Sequence, residues 1–458
     1  MGKMRTTFIP RQYFAVIAVL LAIMMSVLDG TIMNIALPTL ARNFDVTPST
    51  VIWIVNAYQL VITMTLLSFA SLGDIYGYRR IFLIGISIFV SASLACALST
   101  SFWMLTVTRI IQGIGAACVM SVNTALIRLI YPPQVLGRGM GVNAMVVAVS
   151  AAAGPSIAGS ILMFGSWHWL FAINIPLGLT ALLIGYRLLP HNPPVEQRLK
   201  FDKISAVANA LTFGLLIYSL DGFAHSENYR LIGILLILLI IIGIFFIRRQ
   251  LKLKTPILPV DLFRIPIFSL SITTSISSFT AQMLALVSLP FFMQNILGYS
   301  AVKIGLLLTP WPLATIITAP LAGRLVERIH PGLLGGIGMG VFVTGLFMLY
   351  LLPPHPEEWN IIWRMALCGI GFGLFQTPNN VTIVSSAPRQ RSGAASGMLG
   401  TARLLGQTLG TTLVALIFRM FSEEHRSQTC LFIAILFGIG AGIASCLRLT
   451  QQNPQSRK

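Results

Sequence analysis

Charge is scarce in this sequence. Asp, Glu, Lys and Arg make up 10% of the 458 residues and hydrophobic residues 55%, with a mean hydropathy of +0.83. A soluble domain carries roughly 25% charged residues, so much of the outer surface must face lipid. Acids are scarcer still, 13 against 31 bases. No GxxxxGK[ST] phosphate loop appears, which argues against direct drive by a nucleoside triphosphate. No CxxC pair, Cys/His cluster or nucleophile–base set appears either, so neither a metal site nor an enzyme is indicated. The five cysteines, Cys96, Cys118, Cys368, Cys430 and Cys446, are scattered along apolar stretches and read as small hydrophobes. No sizeable soluble segment is present to serve a membrane sensor or receptor.

Apolar runs fill the chain instead. A spanning helix needs roughly 20 apolar residues. Such runs fall near 14–36, 51–71, 81–99, 103–127, 139–163, 168–189, 203–221, 231–248, 267–296, 304–323, 333–352, 361–385, 394–418 and 429–447, fourteen in all. Those at 103–127 and 361–385 are the weakest, because they contain Asn and Gln. The first run is too long for a signal-peptide core and lacks a small-residue cleavage site, so it should stay as a span. An even count puts both termini on one side. With that side inside, 23 of the 31 bases fall in inner segments, Arg448 among them, and five in outer ones. This bias predicts that both termini face the cytoplasm. It also explains the net charge of +18 without a nucleic-acid partner. The other three bases, Arg109, Arg364 and Arg403, fall inside spans.

The chain carries a weak internal repeat. Residues 256 apart match at Gly113 and Gly369, Ile114 and Ile370, Gly115 and Gly371, Asn123 and Asn379, Pro132 and Pro388, Gly141 and Gly397, and Gly154 and Gly410. A second register pairs Gly73 with Gly323. These matches predict an all-α membrane protein of two six-helix bundles, 1–190 and 267–458. Residues 191–266 supply linkers and two inserted central helices.

One acid, Asp29, is deep in a span. A charge at membrane depth costs roughly 2.5 kcal/mol or more and marks a functional candidate. Asp29 lies roughly 22 Å along the first span, and Arg109 roughly 10 Å below the outer surface on the fourth. The two share a depth and can pair if their helices are neighbours. Such a carboxylate suits proton coupling, because opening the site or inserting a cation shifts the balance between desolvation and the Arg. Arg364 and Arg403 are ambiguous, since long basic side chains can snorkel. Asn34, Asn56, Tyr58, Gln59, Gln282, Gln294, Gln376, Asn379 and Asn380, with Trp53, Phe291, Phe292, Trp311 and Phe375 nearby, suit a roomy pocket for amphipathic ligands. The same amides serve equally well as helix–helix hydrogen bonds.

Four motifs then make the chain recognisable. Leu28-Asp29-Gly30-Thr31, followed by Asn34 and Ala36-Leu37-Pro38, lies on the first span. Gly73, Asp74, Gly77, Arg79 and Arg80 lie between the second and third. Arg109, Gln112, Gly113 and Gly115 lie on the fourth, and Gly154, Pro155 and Gly159 on the fifth. In this order the chain resembles the major facilitator superfamily, specifically its fourteen-helix drug:proton antiporters (QacA/EmrB type), over essentially its whole length. The resemblance implies proton coupling at Asp29 and Arg109. It implies an inner gate latched by Asp74 with Arg79 and Arg80, and a packed gating surface formed by the span carrying Gly154 together with the span at 394–418. Tyr78 stands where the family often has a base, and Ala158 where a second Gly is common. No deep acid follows Asp29, so monovalent lipophilic cations or neutral amphiphiles fit better than dications.

The expected activity is drug or multidrug efflux by alternating access: export of small amphipathic or cationic compounds, driven by the proton gradient with no cofactor or metal. The partners expected are protons, a small-molecule substrate and the bilayer, with the chain working as a monomer. A proton-coupled metabolite exporter is the alternative, and a membrane sensor the more remote one.

Overall fold

The computed structural model describes residues 10–46, 48–51, 53–191, 201–225, 229–253, 256–299, 301–353 and 356–450. Among them are fourteen helices of 15 residues or more: α1 (Pro10–Phe44), α2 (Trp53–Tyr76), α3 (Tyr78–Ala97), α4 (Phe102–Ile130), α5 (Leu136–Phe164), α6 (Asn174–Leu188), α7 (Lys203–His225), α8 (Tyr229–Gln250), α9 (Pro266–Phe291), α10 (Pro310–Leu325), α11 (Pro331–Tyr350), α12 (Glu358–Ser386), α13 (Ser392–Met420) and α14 (Glu423–Leu447). No strand occurs among the described residues, as expected where lipid offers no partner for an open backbone.

Among the described residues, twelve segments are long and apolar enough to cross a membrane. The predicted spans at 203–221 and 361–385 fall outside that set. The first contributes a shorter apolar helix, Lys203–Ser219. The second is α12, whose Thr377, Asn379 and Asn380 lower its hydropathy and are buried against neighbouring helices.

Local chemistry sets the boundaries. Gly77, with φ of 101°, breaks the chain between α2 and α3, in a region open to glycine but costly for other residues. Ser101 caps α4 by accepting from the Met104 N–H at 3.3 Å. Pro266, Pro310 and Pro331 open α9, α10 and α11, where the missing N–H costs nothing.

In the first six helices, α1 packs on α5 and α6, and α4 on α2 and α3. In the last six, α9 packs on α13 and α14, and α12 on α10 and α11. The inserted α7 and α8 pair with each other, and α7 leans on α2 and α13. Asp202 ties this pair together, accepting from Arg249 Nε at 2.9 Å and Nη2 at 3.0 Å. Burial pushes the Asp202 carboxyl up, and the hydrogen bonds from Arg249 and Ser205 more than offset that, leaving it below the usual carboxylate range.

The repeat is visible in the packing. A Cβ on Gly115 would collide with the backbone of Gly85 and Phe89, and one on Gly371 with that of Gly338 and Phe342. The seam between the first six and last six helices follows the same pattern. α5 closes on α10, and α2 with α4 closes on α13. The gating surface expected between α5 and the span at 394–418 is therefore corrected: the partner of α5 is α10.

Candidate functional site

The most buried charges in the first six helices are Arg109, 0% exposed, and Asp29, 2% exposed, side by side. Helices α1 and α4 are neighbours, and Arg109 Nη1 forms an ion pair with Asp29 Oδ2, as depth matching predicts. Two further donors converge on the same carboxylate: Gln112 Nε2 at 2.9 Å and Asn174 Nδ2 at 3.1 Å, both on Oδ1. All three neighbours donate, so Asp29 is held as a pure acceptor. Arg109 in turn donates to Gln112 Oε1 at 2.6 Å and to the Ile54 carbonyl at 3.3 Å. Gln112 also donates to Ser93 Oγ at 2.9 Å. Five helices, α1, α2, α3, α4 and α6, thus share one buried network.

Tyr58 connects this network to open space. Its ring lies 4.1 Å from the Arg109 guanidinium carbon, and its hydroxyl donates to the Ser26 carbonyl at 3.3 Å. Both Tyr58 and Ser26 also line a central cavity of about 870 Å³. A ligand pocket is roughly 300–1,000 Å³, so the cavity suits a drug-sized molecule. Asn56, Gln59, Gln282 and Gln376 line it with Trp53 and Trp311, as the sequence suggests. Gln407, Phe279, Phe372 and Arg403 join them.

Several expected residues lie elsewhere. Gln294 is exposed, in a π-helical turn at Phe292–Ile296, beyond the end of α9. Asn379 is bound to Arg448, and neither it nor the buried Asn380 lines the cavity. Phe375 is buried in the core of the last six helices. The side chains of Asn34 and Pro155 lie outside the described residues. Around Pro155, a Cβ on Gly154 would strike Thr31 of α1, Gly159 faces open space, and Ala158 is buried.

Arg448 departs furthest from expectation. An inner loop residue by sequence, it is 1% exposed. Its Nη1 donates to Asn379 Oδ1 at 2.8 Å and Ser271 Oγ at 3.1 Å, and its Nε to the Ser445 carbonyl at 3.2 Å. The guanidinium is pinned by neutral acceptors from three helices or their ends.

The cavity is closed at the end where α2 turns into α3. Asp74 accepts from the Gly393 N–H at 2.8 Å, the Ala394 N–H at 3.0 Å and the Tyr78 hydroxyl at 2.7 Å. The acid therefore caps the N-terminus of α13, where free N–H groups and the helix dipole favour an anion. Tyr78, where the family often has a base, completes this latch, its oxygen accepting from the Gly393 N–H at 3.1 Å. Arg128 donates to Ser392 Oγ and the Ala387 carbonyl, each at 2.9 Å. Across the other seam, Arg138 forms a forked pair with Glu327 at 2.9 Å. A Cβ on Gly137 or Gly323 would strike the other's carbonyl, so only glycine lets α5 and α10 approach so closely there.

The expected latch of Asp74 with Arg79 and Arg80 is corrected by this arrangement. Arg79 turns outward to His191 and the Tyr186 carbonyl, and Arg80 is exposed. Gly77 breaks the helix between acid and bases and sends them to different sides. Gly73 sits behind the latch, too tight against Val122 and Tyr78 for a side chain.

At the other end the cavity walls run up to Trp53, Gly305, Thr411 and Ala415, on the side away from the latch. No cluster of three or more His, Cys, Asp or Glu that could hold a metal occurs among the described residues.

Comparison with known proteins agrees with this architecture. The family model "Major Facilitator Superfamily" matches residues 19–411. Over 449 residues, the chain is 58% identical to the uncharacterized transporter YebQ of Escherichia coli K12, covering 98% of each chain. It is 30% identical over 401 residues to the multidrug resistance protein Stp of Mycobacterium tuberculosis (strain CDC 1551 / Oshkosh), covering 87% of this chain and 74% of Stp. The riboflavin transporter RibZ of Clostridioides difficile (strain 630) is 28% identical over 426 residues, 92% of each. With its paired helical halves around a central cavity, the chain belongs to the major facilitator superfamily, a family of multi-pass membrane transporters of small molecules, and is not an enzyme.

Proposed function

We propose that the protein is a proton-driven antiporter that exports small amphipathic compounds across the cytoplasmic membrane of a bacterium. Fourteen helices span the membrane, α7 and α8 forming the insert at 191–266 between bundles 1–190 and 267–458. Both termini and the Asp74 latch face the cytoplasm, so the cavity described here is open to the outside. One chain holds the whole site, and a monomer suffices. The observation that carries this reading is the buried Asp29–Arg109 pair, one side chain away from the cavity through Tyr58. In the cycle, Asp29 takes up a proton from the outward cavity, which weakens its hold on Arg109. The latch then opens, substrate enters from the cytoplasm, and Asp29 returns its proton there. Stp, named for multidrug resistance, supports the efflux reading.

The test is transport of cationic, neutral and anionic dyes into inverted membrane vesicles under an imposed pH gradient. Wild type accumulates dye and Asp29→Asn does not. Equal accumulation by both would make Asp29 structural and end the coupling assignment. RibZ, named for riboflavin transport, favours a second reading, a proton-coupled metabolite exporter. That reading takes over if folded wild type moves no dye at all.

A further inference from the structure

We propose that the central cavity selects organic anions: planar aromatic compounds bearing one carboxylate or sulfonate, held by Arg403. This names the substrate class of the exporter proposed above and rests on that reading for the direction of transport, though not for the binding preference.

Among the described residues, Arg403 is the one charged side chain lining the cavity, and no carboxylate lines it. It is half-buried on α13 and makes no hydrogen bond or ion pair among the described residues, its Nε atom being buried without a partner. The two fully buried guanidinium groups are engaged. Arg109 pairs with Asp29, and Arg448 donates to Asn379 and Ser271. Arg364 also has unpartnered nitrogens, but it stands 5.0 Å over the Trp363 ring and does not line the cavity. A guanidinium held at membrane depth with no protein acceptor is costly. Arg403 therefore has its hydrogen-bonding capacity free for a ligand.

Its planar fork matches a carboxylate or sulfonate in two parallel hydrogen bonds. Around it the cavity offers amides at Gln282, Gln376 and Gln407 and apolar rings at Trp311 and Phe372. Rings take a flat body, and the amides take polar substituents on either edge. A lipophilic cation meets a like charge here and finds, among the described residues, no acid to neutralise it. The sequence alone points the other way, toward monovalent lipophilic cations or neutral amphiphiles, because it does not show that Asp29 is walled off from the cavity while Arg403 faces it unpaired.

The experiment compares two xanthene dyes of opposite charge, fluorescein and rhodamine 6G, with purified full-length protein in detergent. Fluorescence polarisation gives the affinities, and uptake by inverted vesicles under a pH gradient gives transport. Wild type should bind fluorescein at least tenfold more tightly than rhodamine 6G and accumulate it. Arg403→Gln should remove that preference, and Arg403→Lys should keep part of it. The wild-type comparison stands by itself should Arg403→Gln fail to fold. Equal affinities, preference for rhodamine 6G, or an unchanged preference in Arg403→Gln would overturn the anion site. If rhodamine 6G is also accumulated in those cases, the efflux reading survives without it. Preference for fluorescein with no pH-driven uptake would leave the anion site standing and sink the antiport reading.

Discussion

Asp29→Asn keeps the shape of the side chain and removes its charge. Arg109 then remains 0% exposed, with Gln112 Oε1 at 2.6 Å and the Ile54 carbonyl at 3.3 Å as its acceptors. Both are neutral. The new amide nitrogen is itself a donor, placed among groups that all donate to Asp29. Removing one partner of a buried ion pair costs about 3–5 kcal/mol, because the other charge is left uncompensated. The single variant should lose stability on that scale, read as a lower midpoint of thermal unfolding in detergent. Asp29→Asn combined with Arg109→Gln removes both charges and should regain most of it. Transport separates packing from coupling. Exchange of substrate down its own gradient should survive in the double variant, while accumulation driven by a pH gradient should not. A double variant that accumulates substrate as well as wild type would refute the coupling role and leave the pair as a packing device. A single variant as stable as wild type would refute the electrostatic argument itself.

The latch makes its own prediction. Asp74→Asn cannot accept both α13 amides as a carboxylate does, and a hydrogen bond to a charged group contributes about 1.5–3 kcal/mol. The equilibrium should shift at least tenfold toward an opened latch, seen as longer distances between spin labels on α2 and α13. Gly137→Val places a side chain against the Gly323 backbone. It should hold the seam apart and slow modification of a cysteine at Trp53 by an impermeant reagent from the outside. The folded pKa of Asp202 lies below its unfolded value, so its contribution to stability is present above about pH 4 and is lost as pH falls through the folded value. Protection from hydrogen exchange in the first turn of α7, taken relative to the intrinsic rate at each pH, should therefore fall in acid for wild type, with a smaller pH dependence in Asp202→Asn. Exporting a monoanion against one entering proton moves two charges inward per cycle. Each charge is worth about 2.3 kcal/mol per 100 mV, so an inside-negative potential alone should drive fluorescein export, whereas exchange of a monovalent cation for one proton would be indifferent to it.

The fold was legible because lipid imposes a simple rule: apolar runs of sufficient length become helices. The rule weakens where a helix is buried by protein on all sides, and α12, with Asn379 and Asn380 inside, falls below it. Asp29 and Arg109 could be paired from depth alone. Asn174, the third donor to Asp29, was missed because an Asn near a span's outer end reads as an interface residue. Arg448 was misplaced for a related reason. A base at the end of the last span reads as a loop charge, and its burial depends on Ser271 and Asn379, distant in sequence by 177 and 69 residues. Asp74 is legible as a motif residue, but its partners across the seam are backbone N–H groups of α13, which carry no residue identity for a motif to show.

The two halves share a backbone plan and divide their charges. In the first, an Asp and an Arg neutralise one another out of contact with the cavity. In the second, the region around Asn379 holds Arg448 among neutral acceptors, and Arg403 faces the cavity unpaired. A proton and a substrate can then bind at separate places without competing for one carboxylate. Coupling between them needs a shared element with two positions. Tyr58 is placed to be that element, since its ring rests on Arg109 while it also lines the cavity. On the proposed coupling, protonation of Asp29 would free Arg109 to move against that ring, and a displaced ring would change the space available to a ligand. Tyr58→Phe keeps the ring and loses the hydrogen bond to Ser26, so coupling should largely persist. Tyr58→Ala removes the shared surface, so substrate should still bind while its affinity no longer changes with pH. If the pH dependence of affinity in Tyr58→Ala matches wild type, the signal runs by another route.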